Sequence, residues 1–379
     1  MAPEERLRAD LSAPARLRVL VLCGGRSAEH EISLLSARFI CASLQDAGYE
    51  VVVIGIDKAG RWRHLSAVPE GDATQVAIDT TRPVFTLSPF PETAPALRPM
   101  DVSSTPIPFD VVFPVLHGPF GEDGSVQGLL ELAGVPYVGS GVTASALGMD
   151  KVVQKRLLEA AGVPVVPYVG VDDRRWQRDP DEVLLDVGKL ACPLFVKPSR
   201  MGSSLGISRV EHPSAIGPAI DLAFQYDDTI CIEKGLVGLR ELECAVLGTA
   251  PPRVSPMGEI EVQTDDGFYS YDAKYLDPDA ARLHIPADVE PTVSAEMRGI
   301  ALRAFESLGL EGLARIDFFL DAAGRPFLNE VNTMPGFTSI SMYPALFAAE
   351  GLAGPPLTSL LVELARARHA RRQGLRTSR

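Results

Sequence analysis

The spacing of apolar residues changes along the chain and divides it into segments. RLRVLVLCGG, from Arg16 to Gly25, is a nearly continuous apolar run closed by glycines, which predicts a strand buried on both faces. In the following SAEHEISLLSARFICASLQDAG, Ile32, Leu35, Phe39, Ile40 and Leu44 recur near a period of 3.6, and Gly48 closes the segment. That is the pattern of a helix. YEVVVIGID is a second buried strand, so strand, helix and strand form a right-handed parallel βαβ unit. FDVVFPVLHG, Phe109 to Gly118, is a further strand ending in glycine. The first part of the chain reads as an open parallel α/β sheet, which places ligands beyond the carboxyl ends of its strands. Residues 66–108, rich in Pro, Ser and Thr, predict no element.

Further on, VPYVGSGVTASALGMDKVVQKRLLEAAGVPVVPYVGV predicts a strand, a glycine turn, a long helix and another strand. From Leu190 the character changes. CPLFVKPSRMGSSLGISRV is strand, glycine loop, strand, and DDTICIEKGLVGLRELECAVLG is two strands about a glycine joint. GLARIDFFLDAAGRPFLNEVN is a pair of strands about a turn containing Gly324 and Pro326.

Composition narrows the class. At 379 residues the chain exceeds one ordinary core, and 46% hydrophobic with 22% charged residues is the balance of a folded globular protein. The net charge of -13 argues against a nucleic-acid or anionic-membrane partner, though not against small anions met by a few local lysines. The five cysteines form no C-x-x-C pair, which argues against structural zinc or a disulfide framework. The charged opening MAPEERLRADLSAPARLR lacks the apolar core of a signal peptide, and a cytoplasmic protein with a loose N-terminal arm is expected. RARHARRQGLRTSR is read as a helix end running into a solvated basic tail.

Several residues have the chemistry of a site. A turn near Ala323 brings Asp317 roughly across from Glu330 and Asn332, and the latter two share a strand face. Two carboxylates and an amide oxygen suit Mg²⁺ on phosphates. Ordinary surface acids, or acids compensated by Arg315, would look the same at this level. In SRMGSSLG the glycines permit a tight loop and Ser203 and Ser204 supply hydroxyls and N–H groups for phosphate, with Lys197 just before. A flexible hairpin is the other reading, and no Walker A pattern occurs. Lys151 stands near a helix N-terminus, itself favourable to anions. Glu29 stands in the first turn of the first helix. Arg315 and the Pro335-Gly336 break could supply a cation and an N–H to an oxyanion. GSGVTA matches a loose dinucleotide fingerprint, but the next strand-end acid, Asp172, lies about thirty residues on, beyond the usual ribose-binding spacing.

In order along the chain stand GGRSAEHEISLLSA, HGPFGEDGSVQGLLELAGVPYVGSGVTASALGMDK, FVKPSRMGSSLGIS, IEKGLVGLRELECAVLG, FYSYDAKYL, ARIDFF and NEVNTMPGFTSISMYP. Together they resemble the D-alanine–D-alanine ligase family of ATP-grasp enzymes, from about Arg16 to about Ala365. GSGVTASALGMDK is itself part of that pattern. The resemblance implies an α/β (α+β) protein of three domains, with an N-terminal α/β domain over 17–143 and two domains, 144–238 and 239–368, clamping ATP. Residues 1–16 would be a disordered arm and 369–379 a basic tail.

What the resemblance implies for the site is specific. Lys151 and Lys197 would hold the ATP phosphates under the Gly202–Gly206 loop, with Ser203, Ser204 and Lys234 among the nucleotide ligands. Glu233 and Leu236 would read adenine, and Glu241 the ribose. Lys274 would steady the transferring phosphate. Asp317, Glu330 and Asn332 would bind two Mg²⁺, with Mn²⁺ as a substitute. Glu29 would anchor the first D-alanine with His117 nearby, Arg315 and the Gly336 N–H would hold the oxyanion, and Ser341 and the Met342 N–H the second carboxylate. Tyr275, through Ser203 and Glu29, would favour a dipeptide over D-alanyl-D-lactate. The product would be D-alanyl-D-alanine for peptidoglycan, with ADP and phosphate, made by a homodimer. A ligase with a different second substrate, a silent nucleotide-binding subunit and a nicotinamide dehydrogenase are the competing expectations.

Overall fold

The computed structural model describes residues 16–249, 251–263, 281–338 and 340–376. Lys274 and Tyr275 lie outside the described residues.

Strand β1 (Arg18–Gly24), helix α1 (His30–Asp46) and β2 (Glu50–Ile56) form the expected parallel unit, with β7 (Val111–Pro114) on the other side of β1. The sheet then continues as an antiparallel run that sequence did not show: β3 (Trp62–Leu65), β4 (Val84–Leu87), β5 (Ala96–Pro99) and β6 (Ile107–Pro108), in the order β6-β5-β4-β3-β2-β1-β7. These strands have two to four residues each, too few for a period to register. Along β1, Val19, Val21 and Cys23 pack with α1 in one core, while Leu20 and Leu22 face a second core with Val126 and Leu130 of α2 (Ser125–Leu132). Burial on both faces explains the unbroken apolar run.

The predicted strand at Tyr137 is a single bridge to Val112. The long helix is two, α3 (Val142–Met149) and α4 (Lys151–Ala160). Asp150 separates them in an extended conformation, and its carboxylate accepts the Val152 and Val153 N–H groups as an N-cap. Ala144, Leu158 and Val163 belong to the core of the third sheet described below.

The second sheet, antiparallel, is β10-β9-β11-β8: β8 (Tyr168–Asp172), β9 (Leu194–Pro198), β10 (Ser208–Val210) and β11 (Thr229–Lys234). Helices α5 (Asp173–Arg178), α6 (Pro180–Gly188) and α7 (Ile216–Ala223) accompany it, and the last two cover it through Val183, Val187, Ile216 and Ile220.

The third sheet runs β15-β14-β12-β16-β17, with β13 (Arg253–Val254) paired to β12. Its strands are β12 (Arg240–Gly248), β14 (Gly258–Val262), β15 (Ala281–His284), β16 (Gly312–Leu320) and β17 (Pro326–Asn332). Helix α8 (Pro291–Ser307) packs one face through Met297 and Ile300. On the other face Ala245, Leu247 and Leu313 meet Tyr343 and Leu346 of α9 (Met342–Ala348) and Leu361 of α10 (Pro355–Gln373), in the same core as Val19 and Val21. The first and third sheets are thus fused through shared packing.

The expected basic tail begins inside α10. Arg368 is buried, donates to the carbonyls of Gly139 and Tyr137, and lies 4.1 Å from the Tyr137 ring centre. Arg371 pairs with Glu311, and Arg372 with Glu131 at 3.0 Å. Their partners are distant in sequence, so local charge density alone suggested a solvated segment. Among the described residues no helix is long and apolar enough to cross a membrane.

Candidate active site

A cavity of about 1050 Å³ is lined by the third sheet, by α1 and the loop after β7 of the first sheet, and by the glycine loop between β9 and β10 of the second. The third sheet supplies its floor. Antiparallel register sets Glu243 of β12 beside Asp317 of β16, and Asp317 beside Glu330 of β17, so three carboxylates stand in a row across adjacent strands. Arg315 and Asn332 form the next pair. The register shifts at Asp317/Phe318, leaving Asn329 as the extra residue of a bulge, and Asn329 and Glu330 both line the cavity.

Like charges across strands repel, so the row needs compensation. Arg315 supplies much of it, with Nε 2.7 Å from Asp317 Oδ1 and 2.8 Å from Glu243 Oε2. Asn332 Nδ2 donates to Asp317 Oδ2 at 2.9 Å, and Lys151 Nζ lies 3.6 Å from Glu330.

The first sheet contributes Glu29, His117 and Glu122 to the cavity. Glu29 is the N-cap of α1, one position before the expected first turn. Ser203 of the glycine loop donates to Glu29 Oε1. Gly202 and Gly118 crowd the same carboxylate: a Cβ on either would come 2.5 or 2.6 Å from Glu29 Oε2. Ser203 and Ser204 take left-handed backbone angles in this loop. The start of the loop is tied to α4, since the Lys151 N–H donates to Ser199 O at 3.0 Å and Lys151 Nζ to Met201 O at 2.8 Å.

Glu122 is a residue that sequence reasoning missed. It accepts the N–H of Gly118 at 2.8 Å and of Met334 at 3.0 Å. Burial and the nearby Glu29 charge outweigh those donors and push its carboxyl up to about 8. His117 is also buried, with Nδ1 3.0 Å from Met334 O and Nε2 3.2 Å from Ser36 Oγ. Burial lowers its pKa. Arg315, Gly336, Ser341, Met342 and Glu241 line the same cavity. Ser341 Oγ accepts the Thr338 N–H at 2.9 Å, and Ser341 is the N-cap residue of α9.

Lys197, Ser204, Glu233, Lys234 and Leu236 do not line this cavity. Lys197 and Glu233 form a buried pair 2.7 Å apart on neighbouring strands. Lys155, also missed, reaches Glu233 at 3.0 Å from the fully buried interior. Burial alone would raise the Glu233 carboxyl, but Lys155 and Lys197 hold it well below the usual carboxylate range. Lys155 lies four residues after Lys151 on one helix, and Glu243 two residues after Glu241 on one strand, so periodicity carried a signal for both. Glu122 carried none beyond its place in HGPFGEDG. Lys234 is exposed and Leu236 half-buried at the joint between the second and third sheets.

Among the described residues no three His, Cys, Asp or Glu side chains are grouped so as to hold a metal by themselves. Asp317, Glu330 and the Asn332 amide are hard oxygen donors of the kind a divalent cation takes. Five carboxylates (Glu29, Glu241, Glu243, Asp317, Glu330), besides the Glu122 carboxyl, line the cavity against three cationic side chains (Arg38, Lys151, Arg315). This acidic surplus fits added cations, and the donor set is consistent with metal.

The three sheets, with a glycine loop and a carboxylate row lining one cavity, define a ligase of the ATP-grasp class. Residues 18–140 match the family model described as D-ala D-ala ligase N-terminus, and residues 157–363 the one described as D-ala D-ala ligase C-terminus. A D-alanine–D-alanine ligase of Methylobacterium sp. (strain 4-46) is 49% identical over 362 residues, 94% of this chain and 93% of that protein. The chain belongs to the D-alanine–D-alanine ligase family. The structure of the D-alanine–D-alanine ligase from Coxiella burnetii has a TM-score of 0.78 at 35% identity, covering 94% of this chain and 96% of that one. VanG D-Ala:D-Ser ligase from Enterococcus faecalis has a TM-score of 0.79 at 31% identity, covering 92% and 99%.

Proposed function

We propose that this enzyme joins two D-alanine molecules into D-alanyl-D-alanine, a peptidoglycan precursor, converting ATP to ADP and phosphate. The observation that carries the reading is the cross-strand register of Asp317 with Glu330, which faces the Glu29–Ser203 contact across one cavity. A carboxylate resists an amine because its charge repels attack and oxide does not leave. Transfer of the γ-phosphoryl group to the first D-alanine gives an acyl phosphate with a good leaving group. The second amine then attacks the acyl carbon, and phosphate departs.

In this reading the residues divide the work. Glu29 holds the first ammonium, and His117 lies near it. Lys151 and Lys197 meet phosphates beneath the Gly202–Gly206 loop, with Ser203, Ser204 and Lys274. Glu233 and Leu236 meet the adenine, with Lys234 among the nucleotide ligands, and Glu241 the ribose. Arg315 and the Gly336 N–H stabilise the oxyanion. Ser341 and the Met342 N–H take the second carboxylate, and Tyr275 acts on second-substrate choice through Ser203. Asp317, Glu330 and Asn332 would hold two Mg²⁺, or Mn²⁺, which neutralise phosphate charge when bound. The three domains are taken as 17–143, 144–238 and 239–368, and the enzyme as a cytoplasmic homodimer.

The test is Mg²⁺-dependent ADP and phosphate release with D-alanine alone, against L-alanine and against D-alanine with D-lactate or D-serine, the products weighed by mass spectrometry. D-Alanyl-D-alanine as the main product, abolished by EDTA and restored by Mg²⁺, is expected. Turnover only with another acid–amine pair would retire the D-alanine assignment and keep the ligase chemistry.

A further inference from the structure

Four buried groups connect the first sheet to the turn that follows β17. The Phe337 N–H lies 3.2 Å from Ser36 Oγ, Ser36 Oγ lies 3.2 Å from His117 Nε2, and His117 Nδ1 lies 3.0 Å from Met334 O. Ser36 and Phe337 are fully buried, and His117 and Met334 nearly so.

Two members of this chain fix the direction of the others. A backbone N–H only donates, so Ser36 Oγ accepts from Phe337. A carbonyl only accepts, so His117 must carry its proton on Nδ1 to bond Met334. In a neutral ring Nε2 is then bare, and it accepts the Ser36 O–H. Every donor meets an acceptor, which is what a buried polar network requires. The Met334 N–H is held separately by Glu122.

We propose that Ser36 and His117 are positioning residues, joined in a one-way relay that clamps the Met334–Phe337 turn and so sets the direction of the Gly336 N–H. Both ring nitrogens of His117 are committed to protein partners, so it acts on the reaction through the turn and not as a substrate ligand. His117 still lines the cavity with Glu29, near the proposed ammonium site. Ser36 belongs to α1, the helix that Glu29 caps, so one element aims both the first-substrate anchor and the oxyanion donor.

The coupling part of this inference rests on the proposed reaction, and the tautomer part does not. ¹⁵N-histidine NMR of the full-length enzyme, with the His117 signals identified by their loss in His117→Asn, reads the ring directly. A protonated Nδ1 and bare Nε2 at pH 7 are expected, and an Nε2–H tautomer overturns the relay.

The second readout is dipeptide formed per ADP released. In Ser36→Ala the ratio should drop about tenfold, because a misaimed oxyanion donor slows attack by the second amine and leaves the acyl phosphate to be hydrolysed by water to D-alanine and phosphate. The KM for ATP should stay within about twofold. Ser36→Thr keeps the hydroxyl and should keep the ratio. An unchanged ratio in Ser36→Ala, or an equal loss in Ser36→Thr, overturns the positioning role. If the wild type makes no dipeptide from D-alanine, the functional reading falls while the NMR result still decides the relay.

Discussion

Glu122 shows how far a single side chain can be moved from its ordinary chemistry. Its carboxyl rises from an ordinary value of 4.5 to about 8, chiefly by burial and then by the Glu29 charge. A raised folded value means that its contribution to stability is fully present below the unfolded pKa and is lost as the pH climbs to about 8. Wild-type stability relative to Glu122→Gln should therefore decline from pH 5 to pH 8 and level off above. Denaturant unfolding at intervals of pH checks this, and a pH-independent difference would show that the group is ionised throughout. At this scale much of the site was legible. Glu29 and Ser203 lie in turns, Glu330 and Asn332 near the end of β17, and Arg315 and Asp317 inside β16, where charges in an apolar run stand out in the local sequence. Glu122 was not legible, and the helical spacing of Lys155 from Lys151 showed a shared face but not its burial. A lysine inside an amphipathic helix looks solvated until the fold shows it fully enclosed against Glu233.

The elements carry a second set of lessons. Periodicity cannot see a one-residue break in a helix, so α3 and α4 read as one. Asp150 makes the break by accepting the Val152 and Val153 N–H groups at 3.1 Å, and it also accepts the Ser199 hydroxyl at 2.7 Å. The cap thereby sets where Lys151 leaves the helix and where the glycine loop begins. Asp150→Ala should cost about 1 kcal/mol of stability through the cap alone. It should also raise the KM for ATP, since the Ser199 hydroxyl loses its acceptor and the Lys151 end of α4 loses one of its links to the glycine loop. Denaturant unfolding with initial-rate kinetics measures both, and loss of stability with an unchanged KM would confine Asp150 to a structural part. The β16–β17 hairpin was legible because its turn, Asp321 to Arg325, contains Gly324 and joins two apolar runs. Its bulge at Asn329 was not, since strand alternation places Asn329 opposite in face to Glu330. The short antiparallel strands β3 to β6 escaped for want of length.

Across the whole molecule, α10 locks chain segments that are far apart in sequence. Arg368 holds the carbonyls of Tyr137 and Gly139, at the crossing from the first sheet to α3. Arg368→Leu leaves those buried carbonyls without their donor and should cost about 2 kcal/mol. Arg366→Leu, at an exposed pair with Glu363, should cost under about 0.5 kcal/mol. Comparison of the two unfolding midpoints checks the assignment, and equal midpoints would mean that Arg368 carries no load. By itself the sequence determined the alternating apolar runs, the glycine turns, the parallel βαβ opening and the motif order from which the ligase class follows. These are local properties of strands, helices and turns, set by side-chain period and by the backbone freedom of glycine. Only the tertiary structure decided that the first and third sheets share a core, that Glu243, Asp317 and Glu330 stand in one row, and that Ser36 meets Phe337. Those facts depend on register and packing between segments up to three hundred residues apart. Local sequence sets no such distances; the closing of the common core does.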